Sequence, residues 1–173
     1  MRASLWITLL MSAGLMPVAA VAQPILPGLW EIRSTNMQMD GQALPDMDVM
    51  LNNLPPAQRQ IMEQMMAKQG VQLGGQGVQL CLSKEQVESQ EIPLQDPQSG
   101  CTQEITERTD TTWTFRFSCP QAKGQGETRF LNDKAFVTQV NGTFVSAAGE
   151  QSGSMESHAT WIGADCGGLQ PRQ

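Results

Sequence analysis

The sequence predicts a mainly β (α+β) domain: a curved antiparallel meander sheet, or an incomplete barrel, of six to seven strands covered by one amphipathic helix. Three observations predict it. From Cys101 onward, apolar and polar residues alternate in one run after another, with turn residues between the runs. Helical spacing of apolar residues is confined to the stretch after Pro55-Pro56 and a turn or two after Ser83. No internal repeat and no linker divides the chain, so one sheet has to gather all the strands.

Residues 1–22 read as a cleaved signal peptide. Arg2 is the positive n-region, Leu5 to Met11 the apolar core, and Ala20-Val21-Ala22 a small-residue cleavage site, so a mature start at Gln23 is expected. Leu29-Trp30-Glu31-Ile32-Arg33-Ser34 starts the first strand, with Trp30 and Ile32 on one face. Gly41, Pro45, Asp46, Asn52 and Asn53 mark a loop over 40–54. Pro55-Pro56 then opens a helix whose apolar stripe is Ile61, Met62, Met65 and Met66, and Gly70 stops it. On the predicted fold this stripe packs on the sheet. Val78, Leu80 and Leu82 alternate as a short strand, and Ser83-Lys84-Glu85-Gln86 has the spacing of a capping box. Residues 101–108 and 112–119 flank a turn near Thr109-Asp110. In the second run Trp113, Phe115, Phe117 and Cys119 share a face. Gly124 and Gly126 read as the next turn, 126–131 and 134–145 as a hairpin around Asn132-Asp133, and 152–162 as the last strand. The domain spans 23–166, and residues 167–173 form a flexible tail.

Composition removes several function classes. The chain has 17 acidic and 11 basic residues, a net charge of −6, which argues against a nucleic-acid partner, since that requires a basic face. No apolar span long enough to cross a bilayer follows the signal segment, so no integral membrane segment is expected after cleavage. Four cysteines in an exported chain read as two disulfides among Cys81, Cys101, Cys119 and Cys166. Without a Cys-x-x-Cys pair, and with one His, a zinc site or a redox-active dithiol is not expected. Cys81–Cys101 with Cys119–Cys166 is the expected pairing, because it secures two loose segments. The rival pairs Cys101 with Cys119, which face each other if the hairpin turns at Asp110, and leaves Cys81 to reach Cys166.

Four segments together carry a family likeness: Pro27-Gly28-Leu29-Trp30-Glu31, Met66-Ala67-Lys68-Gln69-Gly70, Cys81-Leu82-Ser83-Lys84-Glu85 and Gly163-Ala164-Asp165-Cys166. In their order and spacing the chain, from about Pro27 to Cys166, resembles the domain of unknown function 3617 family of exported bacterial proteins. It departs from the family's usual look in lacking Tyr and in having Ser83 where Thr is common. The resemblance implies export, a single domain and paired cysteines. It carries no activity and no catalytic residues.

Catalytic candidates are few. His158 falls with Glu156 and Thr160 on the outward face of the last strand, with no nucleophile set to serve it; Ser154 and Ser157 are near only in sequence. Asp46/Asp48 and Glu85/Glu88 lack the apolar setting that would raise one carboxyl pKa. No enzyme activity, no cofactor and no metal are expected. Among the methionines, Met37-x-Met39 and the helix set Met62, Met65 and Met66 are the soft ligands that could take Cu(I). As gap fillers, the helix set belongs to the core. Trp30, Trp113, Phe115, Phe117 and Trp161 form a possible apolar pocket on the inner face of the sheet. The functional expectation is an exported, non-enzymatic envelope protein of the periplasm, delivered by the Sec route: a binding or interaction module of unknown partner, a protein or a small apolar ligand. The alternative is a periplasmic carrier of a small apolar ligand or, less favoured, of Cu(I).

Overall fold

A computed structural model describes residues 25–89, 100–147 and 149–171; the expected signal peptide lies outside them. Nine strands form one sheet: β1 (Gly28–Met39), β2 (Gln42–Ala43), β3 (Val71–Leu73), β4 (Val78–Leu82), β5 (Thr102–Arg108), β6 (Thr112–Cys119), β7 (Ala122–Asn132), β8 (Ala135–Ser146) and β9 (Gly149–Gly163). Among the described residues three helices accompany them: α1 (Met47–Asn52), α2 (Pro56–Lys68) and α3 (Lys84–Glu88). The strand order is β3-β4-β1-β9-β8-β7-β6-β5, with β2 paired to β1, every pairing antiparallel. The expected mainly β, antiparallel, unclosed sheet is therefore what forms. The seven expected strands are joined by two short ones, β2 and β3, of two and three residues, too brief to show an alternation. Among the described residues no helix is long and apolar enough to cross a membrane.

From β5 to β9 the sheet is a simple meander. The non-local step is β1, which inserts between β9 and β4, so the start of the domain pairs with its end. Local chemistry sets the turns. Thr109 Oγ1 accepts from the Thr112 N–H at 2.9 Å, and Asn132 Oδ1 accepts from the Lys134 N–H at 2.8 Å. Pro56 occupies the first turn of α2, Gly70 follows it at φ 71°, and the expected capping box of α3 is complete: Ser83 Oγ accepts from Gln86 N and Gln86 Oε1 accepts from Ser83 N.

Two expectations fail here for identifiable reasons. Gly124 and Gly126 do not turn; they lie inside β7, and the turn comes earlier, at Pro120-Gln121. Both glycines leave room for rings from β6. A Cβ on Gly126 would strike Phe115, and one on Gly124 would stand 2.7 Å from Phe117 Cζ. Glycine in a strand here marks close side-chain approach rather than a reversal. Second, α2 does not cover the sheet. It has no buried residue and touches the edge strand β3, which follows it directly in the chain. The cover comes instead from α3, whose Val87 is buried with Trp30, Leu82 and Ala159, and from Ile25, which packs on the same cluster.

The disulfides also correct the expected pairing. They join Cys81 to Cys166 and Cys101 to Cys119, with Cα separations of 5.6 and 4.0 Å. The strand register decides this. Thr102 stands opposite Ser118, so Cys101 and Cys119 sit at the open end of the β5–β6 pair. Leu29 of β1 pairs with Cys81 on one side and with Gly163 on the other, so the Cys81–Cys166 bridge straddles the first residues of β1. In the chain-entropy account the bridge of sequence separation 85 should contribute about 4.5 kcal/mol and that of separation 18 about 3 kcal/mol. Paired Cys→Ser variants compared by urea denaturation should rank the Cys81–Cys166 loss as the larger, and non-reducing peptide mapping should recover a cross-linked peptide containing Cys101 and Cys119.

Candidate functional site

The sheet has two chemically different faces. Because residues directly opposite in an antiparallel pair share a face, the register assigns each row. On the inner face Trp30 stands opposite Trp161 and Leu80, while Phe130, Phe136, Ala159 and Ile32 form the next row. The rings of Trp113, Phe130, Phe136 and Trp30 form a chain, with centroid separations of 4.8, 5.9 and 5.2 Å in that order. Arg108 lies over Trp113 at one end and Lys134 over Trp161 at the other. Trp30 is 0 % exposed.

The five aromatic residues expected to line one apolar pocket therefore divide between two settings. Trp30, Trp113 and Trp161 belong to the capped aromatic row that makes the core. Phe115, 2 % exposed, and Phe117, half-buried, lie against the glycines of β7 instead of standing free. Trp30 and Trp161 also do a specific task. The Trp30 indole N–H donates to the Leu26 carbonyl at 2.9 Å and the Trp161 indole N–H to the Pro27 carbonyl at 3.0 Å.

The helical methionines take a different place from the one expected. Ile61 and Met65 of α2 are 57 % and 56 % exposed, while Met62 and Met66 are half-buried. An Arg59–Glu63 ion pair of 2.9 Å runs along the helix surface, and Arg59 also donates to Asn52. Met39, opposite Gly153, and Met37, beside the irregular register between Thr35 and Gln38, are half-buried.

On the outer face, His158 Nε2 lies 2.7 Å from Glu156 Oε1, Gln139 Nε2 donates to Glu156 Oε2 at 2.8 Å, and Asn36 Nδ2 donates to Oε1 at 3.4 Å. The Gln139 and His158 hydrogen bonds hold the Glu156 carboxyl below its ordinary range. Beside this network lies a groove of about 340 Å³ over β5–β8. Arg116, Gln125 and Asn141 form one cross-strand row of its lining, and Thr114, Glu127 and Gln139 the next. Sequence reasoning missed these residues. Their outward alternation is visible, but aligning them across strands requires the turn at Pro120-Gln121. Among the described residues no group of three His, Cys, Asp or Glu gathers as a metal site.

Residues 25–166 match the family described as "Protein of unknown function (DUF3617)". The chain belongs to this family. It is also 58% identical, over 116 residues, to the "Uncharacterized protein in lpd-3 5'region" of Pseudomonas putida, covering 65% of this chain and 82% of that protein. No solved structure matches. The DUF3617 match begins at Ile25 and ends at Cys166, so it encloses the Leu26 and Pro27 carbonyls that hold the two indoles and both cysteines that straddle β1.

Two outcomes follow from this geometry. Because Met65 is exposed rather than docked, Met65→Asp should change unfolding free energy by less than about 0.5 kcal/mol, as measured by chemical denaturation. Glu156 has a folded pKa below its ordinary 4.5, so its contribution to stability is present above that value and is lost as pH falls below it. Glu156→Gln should flatten the acid limb of the stability–pH curve below about pH 4.5 and leave the neutral region unaffected in slope.

Proposed function

We propose that this DUF3617 protein is an exported, non-enzymatic binding module of the cell envelope that engages a partner protein through the apolar stripe of α2. One observation carries the reading: Ile61 and Met65, one helical turn apart, remain more than half exposed on a helix with no buried residue. A 13-residue helix gains little stability by itself. Apolar anchors at i and i+4 are the pattern with which a helix enters a partner's groove, and Met adapts its shape to such a groove. The signal-like segment at 1–22, together with two disulfides, supports delivery to the periplasm. The exposed, carboxylate-bound His158, with no serine or cysteine nucleophile hydrogen-bonded to it among the described residues, supports a non-catalytic role.

Native mass spectrometry of protein purified from its own periplasm tests the reading. The wild-type chain should retain a second polypeptide, and an Ile61→Ser/Met65→Ser variant of unchanged thermal stability should lose it. A wild-type chain that flies bare, or a variant that keeps its companion, would sink the proposal. A retained small apolar molecule in place of a polypeptide would favour the carrier function.

A further inference from the structure

We infer that the groove on the outer face of β5–β8 is a binding site for a neutral, hydroxyl-rich ligand: an oligosaccharide. The site is separate from the α2 stripe and does not depend on it. Beside the groove, Glu156 is engaged by Gln139, His158 and Asn36. Inside it, Arg116, Gln125, Glu127 and Asn141 make no side-chain hydrogen bond or ion pair among the described residues. Arg116 and Glu127, opposite in charge and on adjacent strands, leave each other unpaired.

The groove thus offers a guanidinium, a carboxylate and two uncommitted primary amides, with Gln139, already bound to Glu156, as a third amide in the lining. The Thr106 and Thr114 hydroxyls, 2.8 Å apart, mark its β5 side. One cation and one anion cancel, so a ligand of net charge gains nothing from the whole lining. Donors and acceptors are mixed, which suits groups that both donate and accept, as each sugar hydroxyl does. Members of one row lie one strand apart, about 4.8 Å, and the two rows lie two residues apart along the strands, about 7 Å, so side chains of neighbouring strands can meet hydroxyls of one extended ligand.

The platform beneath is pre-organised. Phe117 closes on Gly124 and Gly142 and Phe115 on Gly126, while the Cys101–Cys119 bridge pins the outermost strand pair. The spacing of the strands is thereby set before binding, and the ordering cost falls on the exposed polar side chains alone.

The test uses the mature chain with three probes, neutral tetrasaccharides of glucose, of mannose and of N-acetylglucosamine, and with tetraglycine as a peptide control. Titration calorimetry should find saturable binding of at least one sugar with Kd below about 1 mM. Added salt should not weaken it, and Gln125→Ala/Asn141→Ala, an exposed pair whose change leaves thermal unfolding in place, should weaken it at least tenfold. Absence of binding by all three sugars, equal binding by the variant, or binding of tetraglycine instead of the sugars would each overturn the proposal.

Discussion

The structure depends on how the start of β1 is held between two strands that come from far along the chain. Two consecutive carbonyls, Leu26 and Pro27, each accept an indole N–H, one from Trp30 and one from Trp161. Gly28, next in line, takes φ +130° and packs so closely on Gly163 that a Cβ there would collide with its backbone oxygen. The Cys81–Cys166 bridge then crosses over the same residues. Buried donors are costly if left unpaired, so the two indoles fix both the register of β1 and the entry of the chain into the sheet. The meander from β5 to β9 can form from local hairpins, but β1 has to find β9 across the whole domain. This clasp is what makes that pairing specific.

Once β1 is in place, the aromatic row follows. Trp30 brings Phe136 into contact, Phe136 meets Phe130, and Phe130 meets Trp113, so the core runs across the sheet as a line of rings. Thr128, the buried polar residue on this face, satisfies its hydroxyl against Thr138 at 2.9 Å. Val87 of α3 closes one end of the row. The longer helix, α2, is left at the sheet edge with Ile61 and Met65 turned to solvent. Two surfaces of opposite character result: an apolar stripe on a helix and a polar groove on the back of the sheet.

The division between them has a physical basis. Phe115 and Phe117 fill the space that Gly124, Gly126 and Gly142 leave on the inner face. The groove is lined mainly by the outward residues Thr114, Arg116, Gln125, Glu127, Gln139 and Asn141, together with Phe115 and Gly126. The same alternation that buries one side chain displays the next.

Much of this was written in the sequence. Alternation along 112–119 and 134–145 depends only on neighbours two residues apart, as does the capping box of Ser83 and Gln86 on residues three apart, and both appear as expected. The export-like segment and an even cysteine count are equally local facts. Tertiary structure decided what depends on distance. The spacing of Ile61 and Met65 specifies a helix with an apolar side, but whether a sheet face receives that side depends on where Gly70 and β3 lead the chain. Gly124 and Gly126 read as a turn because glycine permits one; the rings that need the space come from another strand. Cysteine positions allow three pairings, and only the insertion of β1 between β4 and β9 brings Cys81 to Cys166. The groove likewise exists only when four strands align, since no single strand carries it.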